Sequence, residues 1–249
     1  MSGLGPYYQD PWCTVYHGAA EAVIPLLTRQ IDVVLTDPPY GPLETHAKHL
    51  STVRLRNGEP ARQVLPFAGI SPDALVALAT CLVQTARRWV IFSCEWKHAH
   101  LLDQAGLLVR LGIWRKRNGA PQFTGDRPGM GWEAIAICHR PGAKRWNGGG
   151  KHAFWDFPTM PETGHPTAKP VALYAELLRD FSDPNEVVLD PFMGSGTVLV
   201  ASKNLGRTSI GIEIEERYCE MAARRLAQEV LPLHSAPRPV PIPQATLFG

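Results

Sequence analysis

No stretch of the chain approaches the roughly 20 consecutive apolar residues that a membrane-spanning helix needs. Residues Met1 to Gln30 also lack the apolar core of a secretory signal, so a soluble, intracellular protein with no membrane partner is expected. Cysteine is sparse. Cys13, Cys81, Cys94, Cys138 and Cys219 are scattered, odd in number and without metal-ligand spacing. This argues against a disulfide framework and for reduced thiols in a cytosolic setting. His98 and His100 are spaced like metal ligands, but no third ligand stands nearby. They are read as ordinary helix surface, and no metal is expected. Strong net charge is missing too: a formal +2 is too small to imply nucleic acid by itself.

The position of the charge is more informative than its sum. Between Arg110 and Lys151 lie Arg115, Lys116, Arg117, Arg127, Arg140, Lys144 and Arg145, against only Asp126 and Glu133. A local excess of this kind is what phosphate binding asks for. The 249 residues are enough for one α/β domain with a small insertion.

Buried-strand and helix patterns alternate along the chain. Ile31-Asp32-Val33-Val34-Leu35-Thr36 reads as a short buried strand, which the consecutive prolines of Asp37-Pro38-Pro39-Tyr40-Gly41 must end. From Gly41 to Gly69 the sequence is polar, basic and aperiodic, as expected of a loop at the strand's carboxyl end. Ser71-Pro72-Asp73 opens a helix reaching Val83, with Ser71 as N-cap. Trp89 to Phe92 is the next strand and Glu95 to Ala105 the next helix. Leu107 to Trp114 and Glu133 to Cys138 are further strands, bracketing a Gly/Pro-rich basic segment. Residues 141–170 read as irregular rather than as sheet. Regular alternation resumes with a helix over Val171–Phe181, a strand over Val187–Asp190, a helix over Gly196–Leu205, a strand over Ser209–Ile214 and a charged helix over Glu215–Val230. Such alternation implies a mainly parallel sheet with helices on both faces. The prolines at 232, 237, 239, 241 and 243 mark residues 232–249 as a Pro-rich tail, leaving 1–231 as the domain.

Asp190-Pro191-Phe192-Met193-Gly194-Ser195-Gly196-Thr197 sits between a buried strand and a helix. Its glycines let backbone approach a ligand and leave helix N–H groups free. About 20 residues later, at the next strand's end, Glu213 is placed to accept hydrogen bonds from ribose hydroxyls. The segment lacks a P-loop lysine and the third glycine of the dinucleotide fingerprint. A nucleoside cofactor without pyrophosphate is therefore expected. A tight turn without a ligand would leave Asp190 buried with no evident use.

Asp37-Pro38-Pro39-Tyr40, followed much later by Asp190 to Thr197, resembles the amino-methyltransferases of DNA. The order, catalytic motif first and cofactor motif last, resembles the permuted β class of that family, and His165-Pro166-Thr167-Ala168-Lys169-Pro170 adds a third match. The resemblance covers most of residues 15–230. It implies a Rossmann-like, circularly permuted α/β fold and the cofactor S-adenosylmethionine. His165, Thr167, Lys169, Asp190, Pro191, Phe192, Gly194, Gly196, Thr197 and Glu213 are the implied cofactor residues, with Lys169 meeting the methionine carboxylate. Asp37, Pro38, Pro39 and Tyr40 are the implied catalytic residues. Asp37 and the Pro38 carbonyl would accept the N–H bonds of an exocyclic amino group, and Tyr40 would stack on a flipped base.

An Asp at the head of the motif points to adenine N6. Cytosine N4 is the alternative, as are RNA or protein methylation and a DNA-binding relative that has lost catalysis. Target recognition is expected over about 116–157, with Arg115, Lys116, Arg117, Arg127, Lys144 and Arg145 toward DNA. One departure is Ala19, which stands where the family often has an Asp touching the cofactor's adenine. Gln244-Ala245-Thr246-Leu247-Phe248 resembles a sliding-clamp-binding peptide, a homodimer is suggested by the resemblance alone, and a bacterial or phage modification enzyme acting on duplex DNA is the expected setting.

Overall fold

The computed structural model describes residues 5–39, 69–119, 121–122, 125–159 and 169–228. Among these residues nine strands form one sheet: β1 (Tyr8–Gln9), β2 (Cys13–His17), β3 (Ile31–Thr36), β4 (Ala86–Cys94), β5 (Leu108–Lys116), β6 (Trp132–Cys138), β7 (Phe154–Phe157), β8 (Val187–Asp190) and β9 (Thr208–Glu213). Their order across the sheet is β1-β2-β9-β8-β3-β4-β6-β5-β7. The run from β2 through β9, β8 and β3 to β4 is entirely parallel. Beyond β4, strands β6 and β5 add an antiparallel arm, and β7 returns parallel to β5. The sheet is thus mixed but parallel where it matters for the site.

Six α-helices among the described residues clothe it: α1 (Ala20–Val23), α2 (Pro72–Thr85), α3 (Trp96–Gln104), α4 (Val171–Phe181), α5 (Thr197–Asn204) and α6 (Glu216–Ala227). Strand side chains alternate between two cores, as the pleat requires. Val33, Leu35, Trp89, Ile91, Ile135 and Ile137 pack with α4, α5 and α6 on one face. Val34, Val90, Phe92, Ala134 and Ala136 pack with α1, α2 and α3 on the other. This double burial explains why Val33–Leu35 of β3 and Val187–Leu189 of β8 read as continuous apolar runs rather than alternating ones. Ser71 caps α2 as expected, its Oγ accepting from the Ala74 N–H at 3.3 Å.

Three features depart from expectation. Strand β7 lies inside the segment read as irregular; Trp155 is 1% exposed there and donates to Asp180 Oδ2 at 2.8 Å. A four-residue edge strand flanked by glycines and prolines leaves too short a pattern to read. Strands β1 and β2 likewise fall outside the expected elements, because β1 is two residues long and β2 joins the sheet by pairing with β9, far away in sequence. His98 is not helix surface. It is 4% exposed, with Nε2 3.6 Å from Glu95 Oε1, because α3 turns that side chain toward the sheet. Among the described residues no group of His, Cys, Asp and Glu could hold a metal ion. No described helix is long and apolar enough to cross a membrane.

Candidate active site

From β3 the chain crosses to β4 on one side, whereas from β8 it crosses to β9 on the other. The sheet therefore changes winding direction between β3 and β8, and a crevice opens outside their carboxyl ends. Asp37 follows β3 and Asp190 ends β8, so both carboxylates stand at that point. The Thr36 hydroxyl donates to Asp190 Oδ1 at 2.7 Å and ties the two strand ends together. The cleft here has a volume of about 990 Å³, and its walls include Asp37, Pro38, Pro39, Lys169, Asp190, the glycine loop and Glu213.

The glycine loop is built as its composition requires. Gly194 and Gly196 have φ of 50° and 80°, the left-handed region that favours glycine. Gly196 is the N-cap of α5, and a Cβ there would stand 2.9 Å from that of Ala222. Glu213 Oε2 accepts from the Gly194 N–H at 3.0 Å, and its Oε1 from the Glu215 N–H at 2.9 Å. These bonds point the carboxylate at the end of β9 into the cleft, where a ribose edge would meet it. Arg225, on α6, grips the loop from behind: Nη1 lies 2.8 Å from the Ser195 carbonyl and 3.3 Å from Thr197 Oγ1. Nothing in the spacing along the chain marks Arg225, since it acts through a helix packed on the loop.

Charge in the cleft is dominated by carboxylates. Burial pushes the Asp190 carboxyl up to about 7, against the pull of the Thr36 hydroxyl and the Phe192 N–H. Burial also raises Glu213 above its usual value, opposed by backbone N–H donors. Among these carboxylates stands a buried cation. Lys169, 6% exposed, places Nζ 2.5 Å from Asp37 Oδ2 and 3.4 Å from Glu133 Oε2. Burial alone would depress this ammonium, but Asp37 and Glu133 more than offset that and hold it above the usual lysine value. The sequence resemblance puts Lys169 on the cofactor's carboxylate; Lys169 lines this cleft, and its ammonium lies against Asp37, the close counter-charge that a cation this buried requires.

The other expected residues divide by position. Pro191, Phe192 and Thr197 line the cleft with Gly194. Tyr40, His165 and Thr167 lie outside the described residues, as does Gln244–Phe248. Arg115 and Arg117 stand at the cleft end of β5, exposed, 3.5 and 3.3 Å from Asp156 Oδ2. Arg127 is exposed beside Asp126, whereas Lys116 turns inward to Glu133 Oε1 at 2.5 Å. Lys144 and Arg145 are brought to the opposite end of the sheet. There the Arg145 carbonyl accepts from Arg88 and Trp89, near the start of β4. The basic segment is therefore two separate groups in space. Ala19 lines the cleft as a small apolar wall.

The dimensions and chemistry of this cleft suit a nucleoside bearing a cationic sulfur: a carboxylate for the ribose, glycine backbone for close approach, and acidic walls. Comparison with known proteins points the same way. Residues 97–224 match the DNA methylase family of N6 and N4 methyltransferases. The chain is 27% identical over 260 residues to the type II methyltransferase M.HinfI of Haemophilus influenzae, covering 85% of this chain and 69% of that one. A 65-residue stretch is 49% identical to the type II methyltransferase M.HpaI of Haemophilus parainfluenzae, covering 26% of this chain and 21% of that enzyme. The fold is similar to that of M1.HpyAVI in its complex with S-adenosylmethionine (TM-score 0.60, 24% identity, 86% of this chain and 99% of that one). It is also similar to the cytosine-N4-specific PvuII DNA methyltransferase (TM-score 0.70, 14% identity, 91% and 90%). A Rossmann-like cleft built for S-adenosylmethionine, together with the family match over half of the sequence, identifies this chain as a member of the N6-adenine/N4-cytosine amino-methyltransferases of DNA.

Proposed function

We propose that the protein methylates adenine at N6 in duplex DNA, taking the base flipped out of the helix into the cleft beside Asp37. The observation that supports this most is the position of Asp37: it stands at the winding reversal of the sheet, next to Asp190 and the glycine loop, in one cleft. The cofactor supplies a methyl group already activated by a positively charged sulfur, so the protein need not generate a leaving group.

What the protein must do is present a poor nucleophile. The lone pair of an exocyclic amino group is delocalised into its ring, and acceptors at its N–H bonds favour a more tetrahedral nitrogen. The Asp37 carboxylate is one such acceptor, held in place by the Lys169 ammonium, and the Pro38 carbonyl is the second. Asp37 need not be a strong base, since the nitrogen becomes acidic only as the methyl arrives. Alignment of nitrogen with the methyl contributes much of the rest. Tyr40 is assigned to stacking on the base. His165 and Thr167 are assigned to the methionine end of the cofactor, with Asp190. Adenine is preferred because the motif begins with Asp; cytosine N4 is the second reading, favoured by the likeness to the PvuII fold.

Arg115, Arg117 and Arg127 are assigned to DNA phosphates or guanine edges at the cleft end of the sheet. A homodimer and a clamp contact through Gln244–Phe248 belong to the same proposal, as does a role in restriction–modification. Sequencing that reports modified bases, applied to DNA from cells expressing the protein, tests the assignment. N6-methyladenine is expected, with Asp37→Ala lowering transfer by at least about 10²-fold. N4-methylcytosine would replace the adenine reading, and full activity of Asp37→Ala would refute the role of Asp37.

A further inference from the structure

Asp37, Lys169, Glu133 and Lys116 form one alternating chain of charge. Lys169 Nζ is 2.5 Å from Asp37 and 3.4 Å from Glu133 Oε2, and Lys116 Nζ is 2.5 Å from Glu133 Oε1. The four residues come from four elements: the end of β3, the start of β6, the end of β5 and the residue before Pro170, the N-cap of α4. Glu133 sits opposite Trp114 in the β5–β6 ladder, and both of its carboxylate oxygens are engaged by ammonium groups. Lys116 also lies over the Trp114 ring, 5.2 Å from its centroid.

A lysine side chain has several soft torsions, and a single surface carboxylate would not confine it. Here Glu133 approaches the Lys169 ammonium from the antiparallel arm while Asp37 approaches it from β3. Two fixed anions define one position for the cation. Lys116 in turn fixes Glu133.

We propose that Glu133 is a positioning residue for methyl transfer, holding the Lys169 ammonium on Asp37, with Lys116 acting through Glu133 rather than on DNA. The proposal rests on Asp37 as the acceptor of the amino group, and the test separates the two ideas. The purified protein is assayed by single-turnover transfer from labelled S-adenosylmethionine to duplex DNA. Cofactor and DNA dissociation constants are measured alongside.

Glu133→Gln is expected to slow transfer roughly 10- to 100-fold, the scale of a small misplacement at a reacting group. Both dissociation constants should stay within about twofold, so the loss falls on the chemical step. Glu133→Asp retains the charge but shortens the reach, guards against a folding failure of the glutamine variant, and should lose activity in the same way. Lys116→Met should also slow transfer, and combining it with Glu133→Gln should add nothing further. If Asp37→Ala abolishes transfer while Glu133→Gln and Glu133→Asp turn over like wild type, the positioning role is overturned. It is equally overturned if the two losses multiply, or if Lys116→Met weakens DNA binding at an unchanged rate. If Asp37→Ala itself retains activity, the underlying assignment of Asp37 fails instead.

Discussion

Asp190 is a carboxyl group 3% exposed at the end of β8, and burial raises it from its usual 3.8 to about 7. A group that binds its proton more tightly when folded stabilises the protein fully below its unfolded value, near 3.8, and loses that contribution as pH rises to about 7. Asp190→Asn removes the titration while an amide oxygen can still accept from Thr36 and Phe192. Denaturant unfolding over this range should show the variant gaining on wild type by up to about 1.4 kcal/mol per pH unit, with no further gain above the folded value. Parallel stability curves would contradict this. At neutral pH the same variant should bind S-adenosylmethionine more weakly, measured by calorimetry. Asp37, Asp190 and the two glycines of the loop are readable from sequence, because their chemistry is local. Glu133 and Arg225 are not, since each reaches its partner only through strand pairing or helix packing.

Regular elements are legible in proportion to their burial. Strands β3 and β8 and helices α4 and α5 fall within a residue or two of expectation, as each presents a long apolar face or run to a core. The edges are harder to read: β1, β2 and β7 are short and depend on distant neighbours. The start of α5 offers a test of why the loop needs glycine. Gly196→Ala meets both a left-handed φ and the Ala222 side chain, so a loss of about 1–3 kcal/mol is expected in thermal unfolding. Gly125 has φ of 69° but nothing within 4 Å of a Cβ, and alanine there should cost only about 1 kcal/mol. Equal losses would mean that crowding against α6 is unimportant. Trp155→Ala should cost about 3–5 kcal/mol, showing that β7 is an integral strand.

For the whole molecule, the distribution of basic residues sets the expected behaviour toward DNA. Arg115 and Arg117 share the cleft end of the sheet, while Lys144 and Arg145 stand near the start of β4 at the other end. Neutralising Arg115 or Arg117 should reduce the slope of log affinity against log salt by about 0.9 for each phosphate that the variant no longer neutralises. Replacing Lys144 and Arg145 should leave the slope unchanged, as read by fluorescence anisotropy. The reverse pattern would place DNA on the opposite end. Sequence alone shows these cations as one cluster, because antiparallel β6 carries the chain the length of the sheet between Trp132 and Cys138.

The pairing of β2 with β9 has a consequence for synthesis. Cys13 aligns with Ser209 and His17 with Glu213, so among the described strands β2 has no neighbour but β1 until β9 has been made. At ordinary elongation rates the ribosome needs about 10–40 s to cover that interval. Throughout that time β2 has an unpaired edge, whereas β8, made just before β9, waits for its partner only about 1–4 s. The last of the described strands to emerge is inserted between β2 and β8, making completion of the described sheet and creation of the Glu213 wall a single late event.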